Sequence, residues 1–148
     1  MENRNNIDVL IALDNIQEVS FRYNTEFDYS TLSIQNLSFG MKYETKTSRD
    51  TEKVGITVTT IYTTGNESLS EYSILMEFKV RGLAQLITTD SKGEEVINRD
   101  FILNLLNISI GTLRGAFFLR TKGTGLEKFP IPLIPTKVLD EEVEMISK

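Results

Sequence analysis

The sequence predicts an α+β domain: an antiparallel sheet of about four strands, then one long helix, a proline-rich extended connector and a short C-terminal helix. Three observations carry this reading. Apolar and polar side chains alternate between residues 53 and 81, they recur at helical spacing between residues 98 and 120, and all three prolines of the chain follow in "FPIPLIP". A period of two marks a half-buried strand, and a period near 3.6 marks a helix. The 148 residues suit one domain, with roughly two-thirds of the unfolded surface buried on folding.

The alternation is clearest in "KVGITVTTIYTT", where Val54, Ile56, Val58 and Tyr62 share one face and Lys53, Thr57, Thr59 and Thr63 the other. β-Branched residues fit the pleated surface of a strand. In "EYSILMEFKVRG", Tyr72, Ile74, Met76, Phe78 and Val80 alternate with Glu71, Ser73, Glu77, Lys79 and Arg81. The turn residues of "GNESLS" between the two runs predict an antiparallel hairpin. Upstream, Leu32 and Ile34 are out of phase with Leu37, Phe39, Met41 and Tyr43. A one-residue slip moves side chains to the opposite face, so a bulge or bend near Gln35 and Asn36 is expected in a long strand. "IDVLIALDNIQEV" fits a short helix or a strand about equally well. Residues 1–25 therefore stand as an unassigned N-terminal extension, and residues 26–148 as a single domain.

The "TTDSKGEE" turn ends the sheet. Beyond it Phe101, Ile102, Leu105, Leu106, Ile108, Leu113, Ala116 and Phe117 form a helical stripe too wide for one sheet face. A second apolar contact surface is implied. Gly111 and Gly115 fall on nearly one line of that helix, which permits close approach of another backbone; a kink or an early helix end is the competing reading. "TKGTG" stops the helix, with Gly123 placed for a left-handed cap. Prolines 130, 132 and 135 lack amide donors and keep the next segment out of a helix or a central strand. "TKVLDEEVEMISK" then has amphipathic spacing at Val138, Leu139, Val143 and Ile146, with Thr136 placed as its N-cap.

Composition removes much chemistry. Histidine and cysteine are absent, and with them thiolate nucleophiles, imidazole bases, disulfides and the usual zinc or haem ligands. A net charge of −5 without a basic stripe argues against nucleic acid. The N-terminus lacks a convincing signal peptide, and no run of eighteen apolar residues predicts a membrane span, so a cytoplasmic protein is expected. "GTGLEK" puts Lys128 where a dinucleotide-binding motif needs its third glycine, and no phosphate-binding loop surrounds Lys122. The carboxylates at Glu94, Glu95 and residues 140–144 fall in a turn and on a solvated helix face, not in a cleft. Arg114, Arg120, Lys122 and Lys128 read as compensation of the helix C-terminal dipole. No enzyme, cofactor or metal is expected.

The hairpin "GITVTTIYTTGNESLSEYSILMEFKVRGL", the helix beginning near "NLL" and "FPIPLIPTKVLDEEV" together resemble the SecB export-chaperone fold. "LSIQNLSFG" is similar to that family's bent first strand, and "TLRGAFFLRTKGTG" to a segment of SecB-like proteins; the resemblance covers roughly residues 30–145. It implies a homo-oligomer, a dimer or a tetramer built as a dimer of dimers, with the long helices at the interface. It also implies an ATP-independent holdase that keeps unfolded polypeptide in apolar surface grooves, in protein export. By this resemblance Phe39, Met41 and Tyr43, with Phe129, Ile131 and Leu133, would contact peptide; plain core packing is the competing reading for all six. Gly111, Leu113, Gly115 and Phe117 would form the oligomer interface.

The departures from the family bear on partners. Asn36 and Gly40 stand where export chaperones carry acidic residues that meet the translocase motor. Leu75 and Glu77 alone match the rest of that docking surface, and Asn107 and Ile108 replace an aromatic-proline helix start. The C-terminal zinc-binding tail of some family members has no counterpart expected here. These departures weaken docking to the translocase motor. They leave open a SecB-like fold turned to one specific client, such as a toxin-antitoxin pair, or to a structural role without chaperone activity. A small-ligand protein using the cleft under the connector is the remaining alternative.

Overall fold

In the computed structural model, which describes residues 9–135 and Val138, four strands form one antiparallel sheet. These are β1 (Leu10–Tyr23), β2 (Ser38–Ser48), β3 (Lys53–Thr64) and β4 (Glu67–Arg81), in the spatial order β1-β4-β3-β2. The expected hairpin is β3–β4, closed by the pair Thr64 and Glu67 around a two-residue loop in which Gly65 has a φ of 55°. Glycine takes that left-handed conformation without a steric penalty, which suits a tight hairpin. Val54 lies opposite Phe78, Ile56 opposite Met76 and Val58 opposite Ile74, and all six are buried on one face. Removing such a side chain from water stabilises the fold by roughly 1.5–3 kcal/mol each.

The segment left open between helix and strand is β1, an edge strand paired with β4 from Leu10 to Tyr23. Register shifts at Asp14 and Val19 interrupt it. A bulge turns a side chain out of the regular alternation, which explains why the apolar residues of β1 show no clean period. Asp14 uses its displacement to reach the Lys53 and Lys79 ammonium groups at 3.0 and 3.5 Å.

The expected long bent strand begins later than its pattern implied. Residues 34–36 form a turn, and β2 starts at Ser38. The phase slip between Ile34 and Leu37 therefore marks the entry to the strand and not a bulge within it. Asn36 stabilises that turn: its side-chain oxygen accepts from the Ser33 amide at 2.7 Å and its amide nitrogen donates to the Thr31 carbonyl at 3.2 Å. The turn beyond β4 is likewise part of a separate two-stranded hairpin, β5 (Ile87–Thr89) with β6 (Glu95–Ile97), where Gly93 has a φ of 82°.

Helix α1 (Arg99–Arg120) follows, with Asn98 as its N-cap, accepting from the Phe101 amide at 3.0 Å. It lies across β3 and β4. Phe101, Ile102, Leu105, Leu106, Ile110, Leu113 and Phe117 are buried beneath it, and the Phe117 ring rests 5.4 Å from Tyr62 and 6.1 Å from Tyr72. Ile108, expected within the buried stripe, is 49% exposed, while Ser109 is buried by donating to the Leu105 carbonyl at 2.8 Å. Thr121 is the C-cap, its amide bonding the Phe117 and Leu119 carbonyls, and the expected glycine, Gly123, takes its φ of 79° in the turn two residues beyond. Residues 129–135 carry no helix or strand. The expected C-terminal helix and its Thr136 cap lie outside the described residues.

Candidate functional site

An apolar groove of about 250 Å³ opens where the connector passes the start of β2, lined by Ile34, Leu37, Phe39, Tyr62, Phe129 and Pro130, with Lys128 and Pro132. Its floor follows from strand register. Phe39 pairs with Tyr62 across β2 and β3, so both rings stand on the same face, 5.4 Å apart. Its two walls differ. The turn carrying Ile34 and Leu37 is held by the Asn36 side chain and by Thr64, whose hydroxyl donates to the Asn36 carbonyl at 2.7 Å. The connector wall has prolines where amides would pair. It is moored to the body by side chains instead: the Tyr62 hydroxyl donates to the Phe129 carbonyl at 2.9 Å, and Arg114 Nε and Nη2 donate to the Ile131 and Pro132 carbonyls, each at 3.3 Å.

The polar chemistry of this region is that of hydroxyls held neutral. Burial pushes the Tyr62 hydroxyl up to about 12. On the β1 side of the helix, burial and then the hydrogen bond to Glu18 push Tyr72 up to about 12. Neither is poised for proton transfer near neutral pH. Among the described residues no group of His, Cys, Asp and Glu is arranged to hold a metal ion.

Of the six residues expected to contact peptide, the structure brings Phe39 and Phe129 together in the groove. Met41 and Tyr43 extend the same row along β2, half-buried against the core and outside the groove lining. Ile131 is 3% exposed and belongs to the core beneath the connector, while Leu133 is 82% exposed and turned away from the lining. Ile34, Leu37 and Tyr62 were missed as groove residues. Tyr62 follows the buried alternation of β3, and only its position at the end of the core exposes the site it floors.

The expected oligomer contacts also divide. Leu113 and Phe117 are fully buried against the sheet of their own chain and are unavailable to a second copy. The outward side of α1 carries Gly111 and Gly115 with Ile108, Phe118 and Leu119. On β1, Leu13 and Ile16 are likewise about half exposed, at 52% and 49%. The basic cluster disperses too. Arg120 pairs with Glu18 at 3.3 Å and lies over the Phe21 ring, Lys122 lies over Phe118, and Arg114 moors the connector. Leu75 and Glu77 stand together on the sheet face opposite the helix, where Glu77 accepts from Asn15 at 3.1 Å.

No family model matches the chain, and no curated protein matches it by sequence. Among solved structures it is similar to a SecB-like chaperone of Mycobacterium tuberculosis, solved in complex with a ChAD peptide from the HigA1 antitoxin. That likeness covers 84% of this chain and 90% of that one, with a TM-score of 0.52 at 7% sequence identity. The fold is SecB-like. Four antiparallel strands under one long helix are the shared architecture. At so low an identity the side chains of the groove are this chain's own solution, read from its own contacts.

Proposed function

We propose that this SecB-like domain binds extended, apolar polypeptide segments in the groove between the β2 entry and the connector, acting as an ATP-independent chaperone in the cytoplasm. The observation that carries the reading is the groove itself: a preformed concave site with aromatic side chains on its floor and one wall, next to the 83% exposed side chain of Ile34. Concave, mostly apolar sites with few polar groups are the usual form of a binding pocket. The structural neighbour's peptide supports a polypeptide ligand. It also favours the narrower version of the reading, a chaperone for one specific partner, over a general holdase in protein export. Assembly into a homo-oligomer is part of the proposal, supported by the exposed apolar residues of α1 and β1.

The test dilutes a chemically unfolded reporter with and without stoichiometric protein, without nucleotide, and follows light scattering. Suppression that is lost in Ile34→Asp supports a holdase acting through the groove. Ile34 is exposed, so the variant keeps the fold. No suppression by folded protein removes the general holdase and leaves the dedicated-partner version. That version is tested by titrating labelled extended peptides, and it fails if none of them binds.

A further inference from the structure

Resting on the peptide-binding reading, we infer that Arg114 is a specificity-determining residue that sets the width of the groove without lining it. The argument starts from the backbone of the connector. In residues 129–135, Pro130, Pro132 and Pro135 have no amide to donate, and no strand among the described residues pairs with the segment. Backbone that lacks a ladder is held only by packing and by side-chain hydrogen bonds. Packing comes from the buried Ile131 and from Phe129 and Ile134, which are partly buried against the core. Hydrogen bonds to the helix and sheet come, among the described residues, from Tyr62 at Phe129 and from Arg114 at Ile131 and Pro132.

These two moorings are unequal in kind. Tyr62 is rooted in a central strand and buried to 1% exposure, so its hydroxyl marks a fixed point. Arg114 is half-buried on α1 and reaches across to two successive carbonyls with a planar fork, each contact at 3.3 Å. A guanidinium bridging two acceptors defines an orientation as well as a distance. Pro132, like Phe129, lines the groove. Arg114 therefore holds the part of the wall, at Ile131 and Pro132, to which Tyr62 makes no hydrogen bond. The facing wall is held by Asn36 within its own turn and by Thr64 at the end of β3, with no hydrogen bond to Arg114. The width of the groove is then the distance between that turn and a wall whose Ile131–Pro132 stretch is oriented by Arg114.

The test compares Arg114→Met, which keeps the apolar stem and removes the fork, with Arg114→Lys, which keeps one charge-assisted donor. Two fluorescein-labelled, Ser/Thr-based ten-residue peptides are titrated, identical except for a central Leu or Trp. The expected result is that Arg114→Met changes the Leu-to-Trp ratio of Kd by roughly tenfold, the scale on which pocket fit discriminates apolar side chains, with Arg114→Lys intermediate. Amide exchange at Ile131, Leu133 and Ile134 in the peptide-free protein should quicken in Arg114→Met while the β3–β4 amides stay protected. Peptide binding with an unchanged ratio and unchanged connector exchange overturns the role of Arg114 alone. Quickened exchange without peptide binding by the wild type overturns the peptide reading and the specificity claim with it. Loss of β3–β4 protection in Arg114→Met marks a purely structural residue and also overturns the claim.

Discussion

The Tyr62 hydroxyl donates 2.9 Å to the carbonyl of Phe129, joining the central strand β3 to the first residue of a connector 67 positions away. The same ring packs against Phe39 on one side and Phe117 on the other, each at 5.4 Å. One residue thus forms part of the core, the floor of the groove and an anchor of its wall.

That role has a pH dependence. Burial raises the Tyr62 and Tyr72 hydroxyls from 10.0 to about 12, so folding favours the neutral phenols. Their contribution to stability is fully present below pH 10 and is lost as pH rises from 10 toward 12, on the order of 2 kcal/mol for each tyrosine. The chain has no tryptophan, so tyrosinate absorbance reads the titration directly. A fraction of the five tyrosines should resist ionisation until the fold is lost, and Tyr62→Phe should shrink that fraction. Full ionisation near pH 10 with the sheet intact would refute the burial argument.

Gly125 anchors the loop that precedes the connector. Its amide donates to the Tyr23 hydroxyl at 2.9 Å, and an added Cβ would come 2.1 Å from the Tyr29 ring, which stacks 5.1 Å from Tyr23. Gly125→Ala must push that ring aside, at a cost of about 1–3 kcal/mol, as for other overpacking changes. Thermal melting of Gly125→Ala against wild type and Tyr29→Ala/Gly125→Ala measures it. The cost should shrink in the double variant, and equal costs in both backgrounds would place the clash elsewhere.

Gly111 and Gly115 separate two readings of α1. Within the chain an added Cβ at either meets nothing within 4 Å. In an isolated domain, alanine at each should therefore stabilise the helix by up to about 1 kcal/mol. If another copy approaches along this line, Gly111→Leu should lower the assembly state measured by sedimentation while far-ultraviolet dichroism stays unchanged. A variant that sediments like the wild type would remove the glycine line from any interface.

Sequence alone determined the parts whose signal is local. The alternation in β3 and β4 named their buried face because a strand's side chains switch sides at every residue. The helical spacing from residue 98 to 120 and the prolines bounded the helix and the connector, because periodicity and missing amides act on neighbouring residues. β1 was illegible for the same reason: its two bulges break the only period that marks an edge strand. The SecB-like architecture was legible from element order, and the structural likeness bears it out.

Which side chains converge was decided by tertiary structure alone. Phe39 and Phe129 meet because register brings Phe39 beside Tyr62 and the Tyr62 hydroxyl draws in the connector. Ile131 and Leu133 lie two residues apart in one apolar run, yet one is core and the other solvent. Leu113 and Phe117 share their helix with Gly111 and Gly115, yet they face the sheet while the glycines face outward. Hydrophobicity is a property of the residue, whereas burial is set by the shape and number of the surfaces that meet it. Only the folded chain provides those surfaces.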